Sequence, residues 1–443
     1  MKRYQSLDAI VQHVLVLLTR SSTIFVLSLF CYAQNTERTP LVIRHADQMV
    51  GYETESGPNR ELQGNVVLQQ GMVEIRCDRA RQFLATGVAE LIGNVVITQG
   101  ALRMTMDRGE YRSSERVARG EGNVVIRDSV ATLVAPQGIY RLNEQQAIFR
   151  RGVVLRDSST TVTSDSLAYN RRSGERRGWG HVQIELHRER ARASGDSAYQ
   201  SPADNRIWIC GQSLLIQWDS TARDTLYLRS DCLHLVTDSL RGSGRRRLES
   251  VGHVRLVRGS MSARADSAVL VAGESMVLSG KQPIVWADSS QLTSQGSIVA
   301  ALHEQRIERL TATPNATLGV IEDTASRAPH QLMADTITLE FERDSLRTVR
   351  GHGTARTLYQ LRTDTGEPDG ITRVASDRVL LTFAGGKIVR SSWYGNIRSE
   401  YVPEHLVTPT ERYLLGFRWS TETKPTRGEL LQVTVVPTKD TKD

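Results

Sequence analysis

Hydrophobic and polar residues alternate along much of this chain with a period of two. Val73-Glu74-Ile75-Arg76-Cys77 and Leu102-Arg103-Met104-Thr105-Met106 are clear examples. Alternation of this kind predicts strands with one face buried and the other in water. Gln69-Gln70-Gly71 and Thr98-Gln99-Gly100 lie between such stretches and predict tight turns that join the strands into hairpins.

Three sequence markers recur with one spacing. Gly64-Asn65-Val66-Val67 returns as Gly93-Asn94-Val95-Val96 and as Gly122-Asn123-Val124-Val125, at steps of 29 residues. Asp78 and Asp107 each follow their glycine by 14 residues, and a ladder of tyrosines keeps the same phase. A fixed period predicts stacked copies of one supersecondary unit, which together bury a face that no single unit can bury. We expect the glycines at the starts of strands.

The repeat continues, with longer loops, towards the C-terminus. Its aspartate returns at Asp231, Asp266, Asp335 and Asp377. We therefore expect almost only antiparallel strands from residue 38 to about 420, in two sheets with an apolar face between them. The segments are too short and too rich in arginine to face lipid as a porin. A propeller blade needs about 40 residues, more than one repeat provides.

The domain organisation follows from composition. Basic residues precede the apolar run 24–30, and small residues flank a possible cut after Ala33. Residues 1–33 are therefore predicted to be a secretory signal peptide, with an uncleaved N-terminal anchor as the alternative. Residues 34–200 hold the regular repeats, residues 201–436 hold more divergent ones, and 437–443 form a polar tail.

Net charge adds a preference for anionic partners. The chain carries a formal charge of +7, mostly as arginine. Arginine suits phosphate-bearing partners, but net charge does not choose between nucleic acid and anionic lipid. Arginine clusters at 171–172, 176–177 and 245–247 are either solvated loops or contacts to lipid phosphate and sugar acids.

The cysteines leave one question open. Cys210 and Cys232 are 22 residues apart, so neighbouring strands bring them together if the loops allow. An oxidising compartment permits a disulfide, but three buried free cysteines including Cys77 are the more common arrangement, and we favour that reading. No Cys/His spacing for a metal is present, so we predict no metal site and no cofactor.

Fragments that imitate functional motifs are explained by the repeat. Gly195-Asp196-Ser197-Ala198 resembles a serine-protease nucleophile segment but falls in the aspartate phase of the repeat. We therefore predict no catalytic residues and no enzyme. The repeated aspartates offer one carboxylate per unit, too few for a Ca²⁺ site. We expect them to accept hydrogen bonds from neighbouring backbone instead.

Residues 38–200 resemble a known family. Pro40-Leu41-Val42-Ile43-Arg44-His45-Ala46-Asp47, then Gly64 to Gly71, then Cys77-Asp78-Arg79-Ala80 are similar to the OstA-like family, which includes the periplasmic lipopolysaccharide-transport proteins LptA and the N-terminal domain of LptD. The resemblance implies an elongated open antiparallel β-jellyroll whose groove carries lipopolysaccharide acyl chains. We expect this chain to differ from LptA in being about twice as long, and from LptD in lacking a C-terminal outer-membrane barrel.

The resemblance implies a function for the apolar face. The chain is expected to be a periplasmic bridge that binds lipopolysaccharide or a related glycolipid and meets inner- and outer-membrane transport proteins, without nucleic acid. The expected groove residues are Val66, Leu68, Val73, Ile75, Val95, Ile97, Leu102, Met104, Tyr111, Val124, Ile126, Tyr140 and Tyr169. The alternative is a structural or adhesive surface protein in which these residues only pack a closed core.

The ends of an open stack carry unpaired strand edges that a partner's sheet can extend. Leu41, Val42 and Ile43 open the array and are the predicted docking edge. We expect Val42→Pro to remove a ladder donor and weaken binding of inner- or outer-membrane transport partners without unfolding the array. A pull-down that captures these partners equally with both proteins contradicts the docking assignment.

Overall fold

The computed structural model describes residues 39–432 apart from 205, 219–224, 239–244, 272, 304–305, 322–327, 343–344 and 386. The predicted signal segment and polar tail lie outside these residues. The chain is nearly all antiparallel strand in one long stacked array, which confirms the predicted elongated all-β repeat. Within the described part, no helix is long and apolar enough to cross a membrane.

The described part of the array contains 28 strands, and two short helical segments follow them. The strands are β1 Val42–His45, β2 Gln48–Thr54, β3 Gly57–Gln70, β4 Val73–Phe83, β5 Val88–Gln99, β6 Leu102–Arg112, β7 Val117–Arg127, β8 Thr132–Arg141, β9 Gln146–Arg156, β10 Thr160–Asn170, β11 Arg176–Leu186, β12 Ala191–Ser201, β13 Arg206–Gln217, β14 Leu226–Asp238, β15 Arg245–Arg258, β16 Met261–Val271, β17 Ser275–Ser279, β18 Ile284–Ala287, β19 Ser290–Thr293, β20 Ser297–His303, β21 Arg306–Thr313, β22 Ala316–Val320, β23 His330–Ala334, β24 Thr336–Glu342, β25 Ser345–Arg362, β26 Pro368–Ala384, β27 Lys387–Tyr394 and β28 Arg398–Pro403. A 3₁₀ turn spans Glu404–Leu406, and α1 spans Arg427–Leu431.

From β3 to β16, each long strand pairs with the next and bends once at its middle. The β5–β6 ladder, for example, shifts register between Ile92 and Val95, across Gly93 and Asn94. The two halves of each strand lie in different sheets that face one another across the core. The first sheet contains halves such as 66–70 and 73–77, and the second contains halves such as 59–63 and 79–83. The prediction that the glycines start strands is therefore wrong.

The bend is a corner made by two strands together. Gly93 and Asn94 both have positive φ, 76° and 45°, which is rare for a residue with a side chain. The Asp78 carboxylate of the preceding strand lies where a side chain on Gly93 would be. The Asn94 side-chain amide donates to Asp78 Oδ2 at 2.9 Å. The prediction that Asp78 accepts from neighbouring backbone is wrong at this corner. The donor is instead the side chain of Asn94 on the next strand.

The same corner recurs along the array. A carboxylate lies against a positive-φ glycine in nine pairs: Asp47–Gly64, Asp78–Gly93, Asp107–Gly122, Asp165–Gly180, Asp196–Gly211, Asp231–Gly252, Asp266–Gly280, Asp335–Gly353 and Asp377–Gly395. His181 and His253 replace the asparagine in two of them. Pro136 has no carboxylate to offer, and Gly152 accordingly has nothing within 4 Å of an added Cβ.

Beyond β16 the corner interrupts several strands instead of bending them, whereas β25 and β26 remain continuous and bend at the corner. β16 pairs with β17 along 267–271 and with β18 along 261–264, so β17 and β18 together replace one bent strand. β27 and β28 likewise pair with the two halves of β26. Pairing of β12 with β13 continues across residue 201. The division into a regular part, residues 34–200, and a more divergent part, residues 201–436, stays a prediction.

After β28 the chain turns back as a strap, residues 404–432, along the outer surface of the first sheet. The Gln331 side chain donates to Arg412 O at 2.6 Å and accepts from Leu414 N–H at 2.8 Å. Farther along, Ser420 N–H donates to Gln291 at 3.1 Å and Lys424 to Ser260 O at 3.2 Å. The strap thus passes over strands in reverse order. No periodic pattern of residues predicts the strap.

The corner predicts an asymmetry between two glycines with positive φ. Gly122 meets the Asp107 carboxylate, whereas Gly100 has nothing within 4 Å of an added Cβ. Gly122→Ala should therefore cost about 1–3 kcal/mol more than Gly100→Ala, because both pay the left-handed backbone cost but only one overpacks. Urea unfolding measures the difference, and equal losses contradict the corner as a close-packed unit.

Candidate functional site

The thirteen predicted groove residues all lie in the interior, on the inner faces of the two sheets. Each is at most 5% exposed: Val66, Leu68, Val73, Ile75, Val95, Ile97, Leu102, Met104, Tyr111, Val124, Ile126, Tyr140 and Tyr169. They belong to one continuous buried cluster. The interior along these strands is therefore filled by the chain's own side chains. Their role in lipid binding stays a prediction.

Polar contacts close the edge opposite the corners in this region. Gln70, at the end of a first-sheet strand, donates to Ser113 O on the second sheet at 3.0 Å. Tyr111 OH donates to Gln70 Oε1 at 2.5 Å, and burial raises the pKa of this tyrosine to about 12. The tyrosine ladder therefore does more than pack: this member ties the two sheets together.

Two arginines continue this closure along the same edge. Arg171 lies 3.4 Å from Asp128, whose side chain is 2% exposed. Arg176 donates to Asp157 at 2.6 Å. Each pair joins a first-sheet turn to the second sheet. These arginines, which the sequence analysis assigned to solvated loops or to lipid phosphate, form ion pairs that join the two sheets.

The interior opens farther along, between β11 and β20. A cavity of about 180 Å³ lies there, with a predominantly apolar lining. We call it the slot. Its lining residues are Ile184, Leu186, Glu189, Ala191, Ala193, Ile207, Ile209, Leu215, Gln217, Trp218, Leu226, Leu233, Leu235, Leu248, Arg258, Leu270, Gly273, Met276 and Leu302. Several of them, including Leu186, Ile207, Leu248 and Met276, are partly exposed. None was among the predicted groove residues.

Small side chains explain why the slot lies here. Counted back from the repeated aspartate, Ala191 and Ala193 occupy the positions that Leu102 and Met104 hold three repeats earlier. The replacements remove volume from the same inner face. The sequence itself contains a signal for the slot, because an alignment of the repeats on their aspartates shows the change from large to small residues.

The slot has a charged and amphipathic rim. Glu189, Gln217, Trp218 and Arg258 lie at the ends of first-sheet strands and contribute to its lining. Apolar walls with a few polar groups at one side suit a ligand with a hydrocarbon part and a polar head. The arrangement offers binding, and the lining contains no pair of groups arranged for nucleophilic or acid–base catalysis.

A disulfide lies behind the second-sheet wall of the slot. Cys210 and Cys232 are direct partners in the β13–β14 ladder and are bonded to one another. Each is next in sequence to a slot residue, Ile209 and Leu233. The favoured reading of three free cysteines is therefore wrong for this pair, and Cys77 is the one free cysteine among the described residues, where it is buried. His234 lies close to both sulfurs, which as a disulfide are not thiolate ligands for a metal.

The predicted docking edge is at the N-terminal end of the array. Val42 is 42% exposed, whereas Leu41 and Ile43 are partly buried against the core. β1 pairs with β3 on one side, and no described strand pairs with its other side. At the opposite end, β27 and β28 pair only with β26 among the described strands. The role of either edge in docking stays a prediction.

Comparison with known proteins identifies one part of the chain. Residues 38–173 match the model of the family described as OstA-like protein, which confirms the predicted resemblance over this region. No curated protein matches the chain. A solved structure with limited similarity is the WD40 domain of SCAP from fission yeast, 8% identical over 73% of this chain and 86% of that one. Its TM-score of 0.13 carries no argument about the fold.

The Asp157–Arg176 ion pair predicts a pH-dependent contribution to stability. Burial alone raises the pKa of the Asp157 carboxyl, but hydrogen bonds from Arg176 and from the Ser159 and Thr160 N–H groups outweigh it and lower the pKa to about 2. The folded pKa thus lies below the unfolded value of about 3.9. The stabilisation is complete above that value and is lost as pH falls through about 2.

We expect Asp157→Asn to lower the free energy of unfolding by about 1–2 kcal/mol at neutral pH. The difference from wild type should shrink as unfolding is measured towards pH 2. Glu74→Gln is the control, because its pair with Arg76 at 2.6 Å is exposed and worth at most about 1 kcal/mol. If Asp157→Asn and Glu74→Gln lost the same free energy of unfolding, the Asp157–Arg176 ion pair would contribute no more than an exposed one.

Proposed function

We propose, from the match of residues 38–173 to the OstA-like family, that the chain is a periplasmic lipopolysaccharide-binding protein that carries glycolipid acyl chains towards the outer membrane. The observation that carries this proposal is the apolar slot between β11 and β20. Acyl chains are bound by area and need no special residue, since each buried CH₂ contributes about 0.8 kcal/mol.

The size of the slot limits what it holds in this state. An apolar cavity of about 150 Å³ in another protein accepts a single benzene ring, and the slot is about 180 Å³. It therefore takes the end of an acyl chain rather than a whole multi-chain lipid. Binding of more hydrocarbon requires the two sheets to separate along the edge opposite the corners.

The rim and the disulfide support the same proposal. Arg258 gives the slot a cation where a lipid's anionic head would lie. The Cys210–Cys232 disulfide suits an oxidising compartment such as the bacterial periplasm. Among the described strands, β1 and β28 each pair on one side only, and their other sides suit extension by a partner's strand, as expected for a bridge between membrane components.

The second candidate is a structural or adhesive surface protein without lipid. The filled interior between β3 and β10 favours it, because the predicted groove residues there are at most 5% exposed. The slot separates the two candidates: a closed structural array has no use for it, and a lipid carrier depends on it.

Filling the slot tests the proposal. Ala193→Leu adds a side chain inside the slot, whereas Arg192→Leu adds the same side chain on the opposite, exposed face of β12. We expect native mass spectrometry of protein from envelope extract to show co-purified glycolipid with wild type and Arg192→Leu, and much less with Ala193→Leu.

Circular dichroism provides the folding control for both variants. Ala191→Leu serves as the second slot-filling variant, because Ala191 lies two residues before Ala193 on the same inner face. Wild-type protein free of glycolipid, or equal glycolipid in folded Ala193→Leu and Arg192→Leu, would favour the structural alternative.

A further inference from the structure

The strap ends on the outside of the slot. Leu430 of α1 is fully buried in a cluster with Tyr227, Val257 and the partly buried Ile216. These three residues alternate along their strands with slot residues: Ile216 lies between Leu215 and Gln217, Tyr227 follows Leu226, and Val257 precedes Arg258. Because successive side chains of a strand point to opposite faces, Leu430 packs on the outer side of the same strands that wall the slot.

A row of arginines adds charge to this contact. Arg229, Arg255 and Arg264 are direct partners across β14, β15 and β16 on the outer face of the first sheet. Like charges directly opposite one another in a sheet are destabilising. Burial and the neighbouring Arg255 lower the pKa of Arg229, against the effect of Glu429. The bare row is therefore an unfavourable surface.

The strap supplies the opposite charges. Glu429 lies 2.7 Å from Arg255 and 4.0 Å from Arg264, and Glu422 lies 3.2 Å from Arg264. The Arg427 guanidinium lies 5.1 Å from the centre of the Tyr227 ring. Two glutamates thus pair with two of the three arginines, Arg255 and Arg264, while Leu430 fills the apolar pocket. These ion pairs are partly exposed, so salt weakens them.

The two walls of the slot are held in different ways. Behind the second-sheet wall, the Cys210–Cys232 disulfide joins β13 and β14 covalently, next to Ile209 and Leu233. Behind the first-sheet wall, the same two strands are covered by a five-residue helix with one buried side chain. The helix contact can be broken and formed again without a covalent change, whereas the disulfide must be reduced.

We propose that the strap is a releasable latch on the first-sheet wall, and that undocking of α1 lets this wall move and opens the slot to hydrocarbon ligands. The proposal rests on the slot being the ligand site of the proposed function. The covalently braced wall stays fixed, the strap-covered wall moves, and the exposed arginine row destabilises the open state so that the strap returns.

Ligand exchange in the full-length protein tests the latch. The probe is a dansyl-labelled fatty acid, and stopped-flow fluorescence gives its binding and release rates. Leu430→Ala should raise both rates at least about tenfold, while Leu431→Ala, on the same helix but 41% exposed, should leave them unchanged. Added salt should raise the wild-type rates in the same direction.

A charge exchange guards against unfolding as the cause. Glu429→Arg should raise the rates by repelling Arg255, and the double variant Arg255→Glu with Glu429→Arg should restore slow exchange. Hydrogen exchange of residues 404–432 reports whether the strap has left the sheet. Unchanged probe rates with the strap released in Leu430→Ala or Glu429→Arg overturn the latch.

The outcome for the slot is read separately. If Ala193→Leu abolishes probe binding but strap release leaves the rates unchanged, the slot binds hydrocarbon and the latch is wrong. If the probe binds none of the proteins saturably, the proposed function fails and the latch fails with it.

Discussion

The rest of the molecule depends on the contact between an aspartate of one strand and a positive-φ glycine of the next. The carboxylate occupies the space of the missing side chain, and the following residue, often Asn or His, donates to it. A strand bent at this point places half its residues in each of two facing sheets. Because corners stack in register, every added strand extends both sheets and the core between them at once.

A sheet folded at corners along one side must be held along the other. From β3 to β11 that task falls to polar groups: Gln70 with Tyr111, and aspartates with Arg171 and Arg176. The interior there is filled by large side chains. Around the slot, where Ala191 and Ala193 leave space, the bracing moves to the outside of the walls. The slot is therefore a local loss of packing within an otherwise continuous core.

The sequence predicted the class of fold and much of its interior, because alternation and a fixed period are local signals. Ile97 and Met104 are buried as their pattern required. The middle of a strand and its start look alike when alternation runs through Gly93, so the pattern predicts a strand start where the structure has a corner. The slot depends on which side chains face one another across two sheets, and the sequence pattern does not specify this. The Cys210–Cys232 bond depends on the register of β13 and β14, which the pattern does not specify either. The strap is fixed by single side chains far away in sequence.

That distance has a consequence for the order of folding. Neighbouring strands of the array are joined by short loops, so their ladders close with small loss of chain entropy. The contact of Arg255 with Glu429 spans 174 residues, and that of Gln291 with Ser420 spans 129. Contacts of such sequence separation form late. A chain that folds from its N-terminus thus assembles the slot with the outer side of one wall uncovered. That side is sealed only when the last residues arrive.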